Sequence, residues 1–280
     1  MPDESKEGRD PGVPASRRVD RRVLGIGVLI AAAAVGVYAA YGRAHGGSLL
    51  DPEAMEYAQL ARNLARGEGF TTNIVRPLSL ARVQNISHHP DLYHAPLHPL
   101  WMAGFFRLGG ANAKMAAWAC GAAYLLSLPL VYYLGLRLFD RRIALLALAL
   151  YAVNYLSLQY AVSGMETSLA TLAATGLMLV VFLHMKAGER PAPVTAALCG
   201  AAACLCFLVH YVYLVLLIPV LVAVVLRGGR RHWAELGLCA GAFLLVAAPW
   251  GFRNLRVAGS PFFTLASSEM ATNTTTYPGR

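Results

Sequence analysis

"PAPVTAALCGAAACLCFLVHYVYLVLLIPVLVAVVL", residues 191–226, decides the fold. The run is 36 residues long and contains no Asp, Glu, Lys or Arg. A single helix of that length would extend about 54 Å, well beyond the roughly 30 Å hydrocarbon core of a bilayer. Two membrane spans joined by a tight turn near His210 and Tyr211 fit the length better.

The rest of the chain follows the same pattern. Of 280 residues, 57% are hydrophobic and only 14% charged, with mean hydropathy +0.49, whereas a soluble domain carries about a quarter charged residues. Apolar runs at 23–41, 113–136, 143–159, 167–185 and 233–250 add five spans to the two in 191–226. The fold class predicted is an all-α polytopic membrane protein with about seven transmembrane helices. Residues 96–109 hold two prolines and Arg107 in 14 residues, so they are too short and interrupted to cross and belong at the outer surface.

Basic residues set the orientation. Arg17, Arg18, Arg21 and Arg22 place the N-terminus in the cytoplasm, and Arg137, Arg141 and Arg142, then "KAGER", then Arg227, Arg230 and Arg231 mark later cytoplasmic turns. Residues 42–112 form an outer loop, "QYAVSGME" (159–166) lies outside, and the C-terminus ends outside. This predicts a multi-pass protein of the cell membrane, inner or plasma. The organisation expected is a disordered tail (1–22), a transmembrane module (23–252) and an external segment (253–280). The formal charge of +9 then reflects membrane topology and is no sign of nucleic acid. The five cysteines all fall inside apolar runs and read as small buried residues, without a CxxC pair in a polar loop.

Three polar stretches stand out against this background. In "DPEAMEYAQLARNLARGEGF" (51–70), Asp51 and Pro52 read as N-cap and first helical residue, and Glu53 and Glu56 suit the helix dipole. Met55, Ala58, Leu60, Ala61 and Leu64 make an apolar stripe for an amphipathic helix lying flat on the outer surface, ended by Gly67 and Gly69. Capping and dipole explain the acids; so does a general base held at the headgroup level. "HHPDLYHAPLHPLW" (88–101) gathers His88, His89, His94 and His98, which are either loop histidines or ligands for a divalent metal. In "SGMETSL" (163–169), Glu166 is either a first-turn acid behind a Ser163 cap or a functional carboxylate at the membrane edge. Arg253 and Arg256 in "PWGFRNLR" (249–256) lie outside against the charge bias, either harmlessly or as a phosphate site.

The order of these pieces resembles a known class. A first span is followed by an outer helix with an acid near its start, then "GEGF", "PLHPLW", "GLRLFDRRIALLALALY", an acid after the third crossing, and "PWGFRN". The chain is similar to the polyprenyl-phosphate-sugar-dependent glycosyltransferases of the GT-C class, more narrowly to family 39 and its relatives, over residues 23 to about 262. The resemblance implies an inverting transfer of a hexosyl or pentosyl unit from a polyprenyl-phosphate-linked sugar to a lipid, glycan or protein acceptor on the outer face. It implies Glu53 at the family's usual Asp position as base, with Asp51 and Glu166 as further acids. It implies Lys114, Arg253 and Arg256 around the donor phosphate, and it raises the prospect of a metal among the four histidines. Members usually run well past 280 residues, so a fragment, a truncated product or a minimal form needing a partner is expected. A lipid-linked-sugar transporter and a non-catalytic assembly subunit are the competing readings.

Overall fold

The computed structural model of the chain describes residues 21–80, 83–187, 192–228 and 232–264. Arg17, Arg18, Arg230 and Arg231 lie outside the described residues, as do most of the expected tail and the end of the C-terminal segment. Of the described residues, 79% are helical; there is no strand among them, only one antiparallel bridge between Thr71 and Pro90. The helices are α1 (Arg21–His45), α2 (Pro52–Ala65), α3 (Pro77–Leu80), α4 (Leu97–Gly109), α5 (Ala113–Leu138), α6 (Arg141–Ala152), α7 (Tyr155–Ser163), α8 (Thr167–Lys186), α9 (Ala192–Val209), α10 (Leu217–Gly228) and α11 (His232–Ala258).

The packing inverts that of a soluble protein. The buried faces carry small residues: Ala116, Ala119, Cys120, Gly121 and Ala123 on α5, and Ala196, Cys199, Gly200, Ala203 and Cys204 on α9. Large apolar side chains point outward, with Leu29 72% exposed and Leu245 76% exposed. Such a surface is stable only in lipid, where close backbone approach through small residues holds helices together. All five cysteines are buried and free, as their apolar settings predicted.

Among the described residues five helices are long and apolar enough to cross a membrane, or six if α6 and α7 count as one span. The predicted single span at 143–159 is in fact this pair, bent by 53°. The break has a local cause: the Asn154 side chain accepts a hydrogen bond from Ser157 N at 3.0 Å and starts a new helix instead of continuing the old one. The second half of 191–226 also departs from a full helical span. A 3₁₀ helix (Tyr211–Leu216) precedes α10, which has only 12 residues. Its contacts still run the depth of the bundle. Tyr211 meets Trp250 at one end of α11, and Arg227 meets Glu235 at the other.

That second end is a polar knot. The Arg227 guanidinium donates to both oxygens of Glu235 at 3.0 and 3.1 Å and to Ala187 O. His184, fully buried, faces Thr195 Oγ1 at 2.9 Å and Glu235 at 3.7 Å. The knot ties the ends of α8, α9, α10 and α11. At the opposite end, here the site end, α2 packs on α4 and α4 on α5. Trp101 Nε1 fixes α4 to α5 by donating to Ala119 O at 2.8 Å, and α4, with 13 residues, is not among the helices long and apolar enough to cross a membrane, as its shortness predicted.

The parallel contact of α9 and α11 depends on one glycine. A Cβ on Gly200 would run into the backbone carbonyl of Cys239, whereas one on Gly237 would meet nothing within 4 Å. Gly200→Ala is expected to cost about 1–3 kcal/mol, seen as a lower melting temperature in detergent, while Gly237→Ala leaves it unchanged or slightly raised.

Candidate functional site

The site begins with a cap. Asp51 is extended at φ −85° and ψ 129°, and its carboxylate accepts from Glu53 N at 2.8 Å, with Pro52 opening α2. Arg66 and Gly67 (φ +81°) close the helix. The buried face of α2 is Ala54, Tyr57, Leu60, Ala61 and Asn63, turned onto α4. Leu60 and Ala61 of the expected stripe are buried, and Ala58 and Leu64 pack beside them; Met55 alone departs, 49% exposed.

Tyr57 is the centre of the site. It is buried, and its ring stands edge-on to His94 and His98, each 4.9 Å away between centroids. Its hydroxyl donates to Glu53 Oε1 at 3.3 Å. Burial, with the Glu166 and Glu53 carboxylates beside it, pushes the phenol far above its usual range, so it keeps its proton and acts as a donor. Glu166, at the N-cap of α8, lies near enough to act on both Tyr57 and Glu53. Burial raises its pKa and the Glu53 carboxylate adds to this; its own backbone N–H, His210 and Tyr57 only partly offset them. Glu166 Oε2 is buried with no hydrogen-bond partner. Two carboxylates therefore flank one phenolic proton, an arrangement in which the pair cannot be fully ionised cheaply. Ser163 does not cap α8 as one reading had it: its hydroxyl accepts from Met165 N at 3.1 Å, before the helix begins.

His98 sets the height of this turn. It is wholly buried, and Nε2 donates to Gly164 O at 3.0 Å. Gly164 has φ +85°, and a Cβ there would sit 2.7 Å from Leu49 and 3.3 Å from Ala54, so only glycine brings α7 this close to α2. Burial lowers the pKa of His98 to about 4, which leaves the ring neutral with Nδ1 unpartnered.

A second line of charge runs from Arg76 through Glu56 and His94 to Asp91. Arg76 holds Glu56 in a bidentate pair, with Nη2 to Oε2 at 2.9 Å and Nη1 to Oε2 at 3.1 Å, and stacks over the Tyr93 ring at 3.9 Å. Glu56 Oε2 lies 3.4 Å from His94 Nε2, an ion-pair distance without hydrogen-bond geometry. His94 Nδ1 faces Asp91 Oδ2 at 3.2 Å, and Asp91 Oδ1 accepts from the Tyr93 and His94 backbone at 3.0 and 2.7 Å. Burial opposes the Asp91 charge, but His94 and those two backbone N–H groups outweigh it and hold the carboxyl below its usual range. Tyr211 hydroxyl donates to His94 O at 3.1 Å and accepts from Trp250 Nε1 at 2.9 Å.

Two sequence motifs 183 positions apart meet here. Phe70 of "GEGF" packs edge-on to Trp250 at 4.9 Å, and Arg253 lies over both rings while donating to Phe70 O at 3.2 Å. Arg253 and Arg256 sit on α11, which continues to Ala258 beyond the span expected to end at 250; Arg256 is exposed over Phe252.

Not every candidate joins. The four-histidine metal set is not assembled. His88 is exposed, and His89 is sealed elsewhere, its ring nitrogens facing Asn85 O at 2.9 Å and Ser79 Oγ at 2.8 Å. Among the described residues no three His, Cys, Asp or Glu side chains converge as a ligand group. Lys114 is exposed in a cleft between α1 and α5 that none of the acids lines. Reading the sequence missed Arg76, whose partner is 20 positions away with no periodicity to announce it. It also read His210 only as a turn, although a polar residue inside a 36-residue apolar run was a signal.

The His98 environment has a measurable sign. Its folded pKa lies below the unfolded value of about 6.5, so the unfolded chain binds more protons between pH 4 and 6.5. Acidification through that window is expected to remove about 3 kcal/mol of stability, read as a falling melting temperature in detergent. His98→Gln is expected to flatten that slope.

Comparison with known proteins bears on this geometry. The family model described as dolichyl-phosphate-mannose-protein mannosyltransferase matches residues 91–251. The match includes Asp91, His94, His98, Lys114 and Glu166; α2 with Glu53, and Arg253, lie outside it. No curated protein and no solved structure matches the chain significantly. The matched region is more than half of the 280 residues, and the chain belongs to the dolichyl-phosphate-mannose-protein mannosyltransferase family of GT-C-type membrane glycosyltransferases.

Proposed function

We propose that the chain moves a sugar from a polyprenyl-phosphate donor to an acceptor hydroxyl of a lipid, glycan or protein at the extracytoplasmic face of a cell membrane, with its N-terminus in the cytoplasm. The observation that carries this reading is the convergence of Glu53 and Glu166 on the Tyr57 hydroxyl at the site end of the bundle. Glu53 is the base. It takes the proton of the acceptor hydroxyl as that oxygen forms a bond to the anomeric carbon. The bond from that carbon to the phosphate oxygen breaks, and the electron pair leaves with the polyprenyl phosphate. A single displacement of this kind inverts the anomeric centre.

The other residues have supporting parts. Asp51 holds the start of α2, so it positions Glu53 by capping. Tyr57 keeps Glu53 aimed, and Glu166 shapes the local charge. Arg253, stacked at the corner with Phe70 and Trp250, is placed to meet the developing charge of the leaving phosphate, with exposed Arg256 one turn beyond. The placement of ionisable groups favours an enzyme over a proton-coupled transporter, which gathers them at mid-membrane. Among the described residues the buried acids and histidines lie at the two ends of the bundle, His89, Asp91, His94 and His98 at the site end and His184 and Glu235 in the knot.

Transfer from labelled polyprenyl-phosphate sugars in liposomes tests this. Glu53→Gln is expected to lower the rate about 10²–10⁴-fold, the usual worth of a general base. Asp51→Asn, which keeps a capping oxygen, is expected to stay within about threefold of wild type. Full activity in Glu53→Gln would overturn the assignment.

A further inference from the structure

A cleft of about 470 Å³ lies between α1 and α5 at the site end, lined by Val35, Tyr38, Ala39 and Trp118, with Arg43 and Lys114 among its lining residues. Its volume is that of a single-ligand pocket, for which about 300–1,000 Å³ is usual. Gly42, Gly46 and Gly47 also line it and leave it room. The cleft is separate from the acids. On α5, Cys120 turns to Met165 O beside Glu166, while Gly121 and Ala117 turn to Tyr38 on the cleft side. The helix therefore stands between the two places.

We infer that this cleft holds the freed carrier, a polyprenyl monophosphate, with its phosphate between Arg43 and Lys114 and its chain along the apolar wall. The inference rests on the reaction proposed above. Charge selects the occupant. Arg43 and Lys114 are both exposed and neither has an ion-pair partner among the described residues. Two unpaired cations suit a phosphomonoester, which carries about −1.5 to −2 at neutral pH, better than the single charge of a phosphodiester lipid. The apolar wall suits the tail, and Trp118 and Tyr38 are side chains that favour the level where tail meets headgroup. A resting place across α5 clears the acids for the next donor while the spent carrier leaves, a step that often limits turnover.

A photoreactive long-chain polyprenyl phosphate, added to the full-length protein in nanodiscs, tests the assignment by mapping the labelled peptides. Labelling is expected on α1 and α5, competed by unlabelled polyprenyl phosphate but not by polyprenol or phosphatidylglycerol. The double variant Arg43→Gln with Lys114→Gln is expected to weaken it about ten- to thirtyfold. Ala39→Trp, which fills the cleft and keeps both charges, is expected to abolish it. Glu53→Gln, which slows transfer, is expected to leave it intact. Equal displacement by phosphatidylglycerol overturns the choice of ligand. A wild type that transfers sugar but labels no better than the variants overturns the cleft alone, whereas one that labels but never transfers contradicts the proposed function alone.

Discussion

One phenolic proton between two carboxylates is the constraint on which the candidate site depends. Tyr57 is buried against two imidazoles, and that packing, more than any single hydrogen bond, fixes where α2 sits on α4. Once α2 is docked, Glu53 and Glu56 meet different neighbours. Glu53 faces Glu166, where burial makes charge expensive. Glu56 faces Arg76 and His94, where charge is matched. Two acids three positions apart on one helix thus enter different electrostatic settings.

The membrane supplies the other constraint. With lipid outside, large side chains gain nothing by turning inward, and the helices close on alanine, glycine and cysteine. Polar groups are driven to the two ends of the bundle. At one end Arg227, Glu235 and His184 tie four helices together. At the other, loops and short helices bring Phe70 against Trp250 and His98 against Gly164, joining segments that are far apart in the chain. The knot gives rigidity at one end, and the chemistry is gathered at the other.

How much of this could be read from the sequence follows from the range of each interaction. The long helices, the short non-spanning helix within 96–109 and the Asp51–Pro52 cap all rest on local composition and spacing, and all are seen. Asn154 lay in plain view inside an apolar run, yet span length outweighed it, and the 53° break was not expected. The apolar stripe of α2 is seen at Ala58, Leu60, Ala61 and Leu64, but apolarity alone added the exposed Met55 and left out Tyr57, whose contact with His94 and His98 is tertiary. The histidine cluster looked like one set because its members are close in sequence; the chain separates them, with His89 bonded to Ser79 and His98 to Gly164. Arg76 and the meeting of Phe70 with Arg253 are tertiary contacts that a lone sequence does not carry.

The central claim is that Glu53 and Glu166 act as one unit through Tyr57. A double-mutant cycle on sugar transfer addresses it directly, with Glu53→Gln, Glu166→Gln and the double variant compared with wild type in liposomes. Residues that work as a unit are non-additive, so the double variant is predicted to be little worse than Glu53→Gln alone. Losses that multiply, each substitution costing the same in either background, would contradict a shared site.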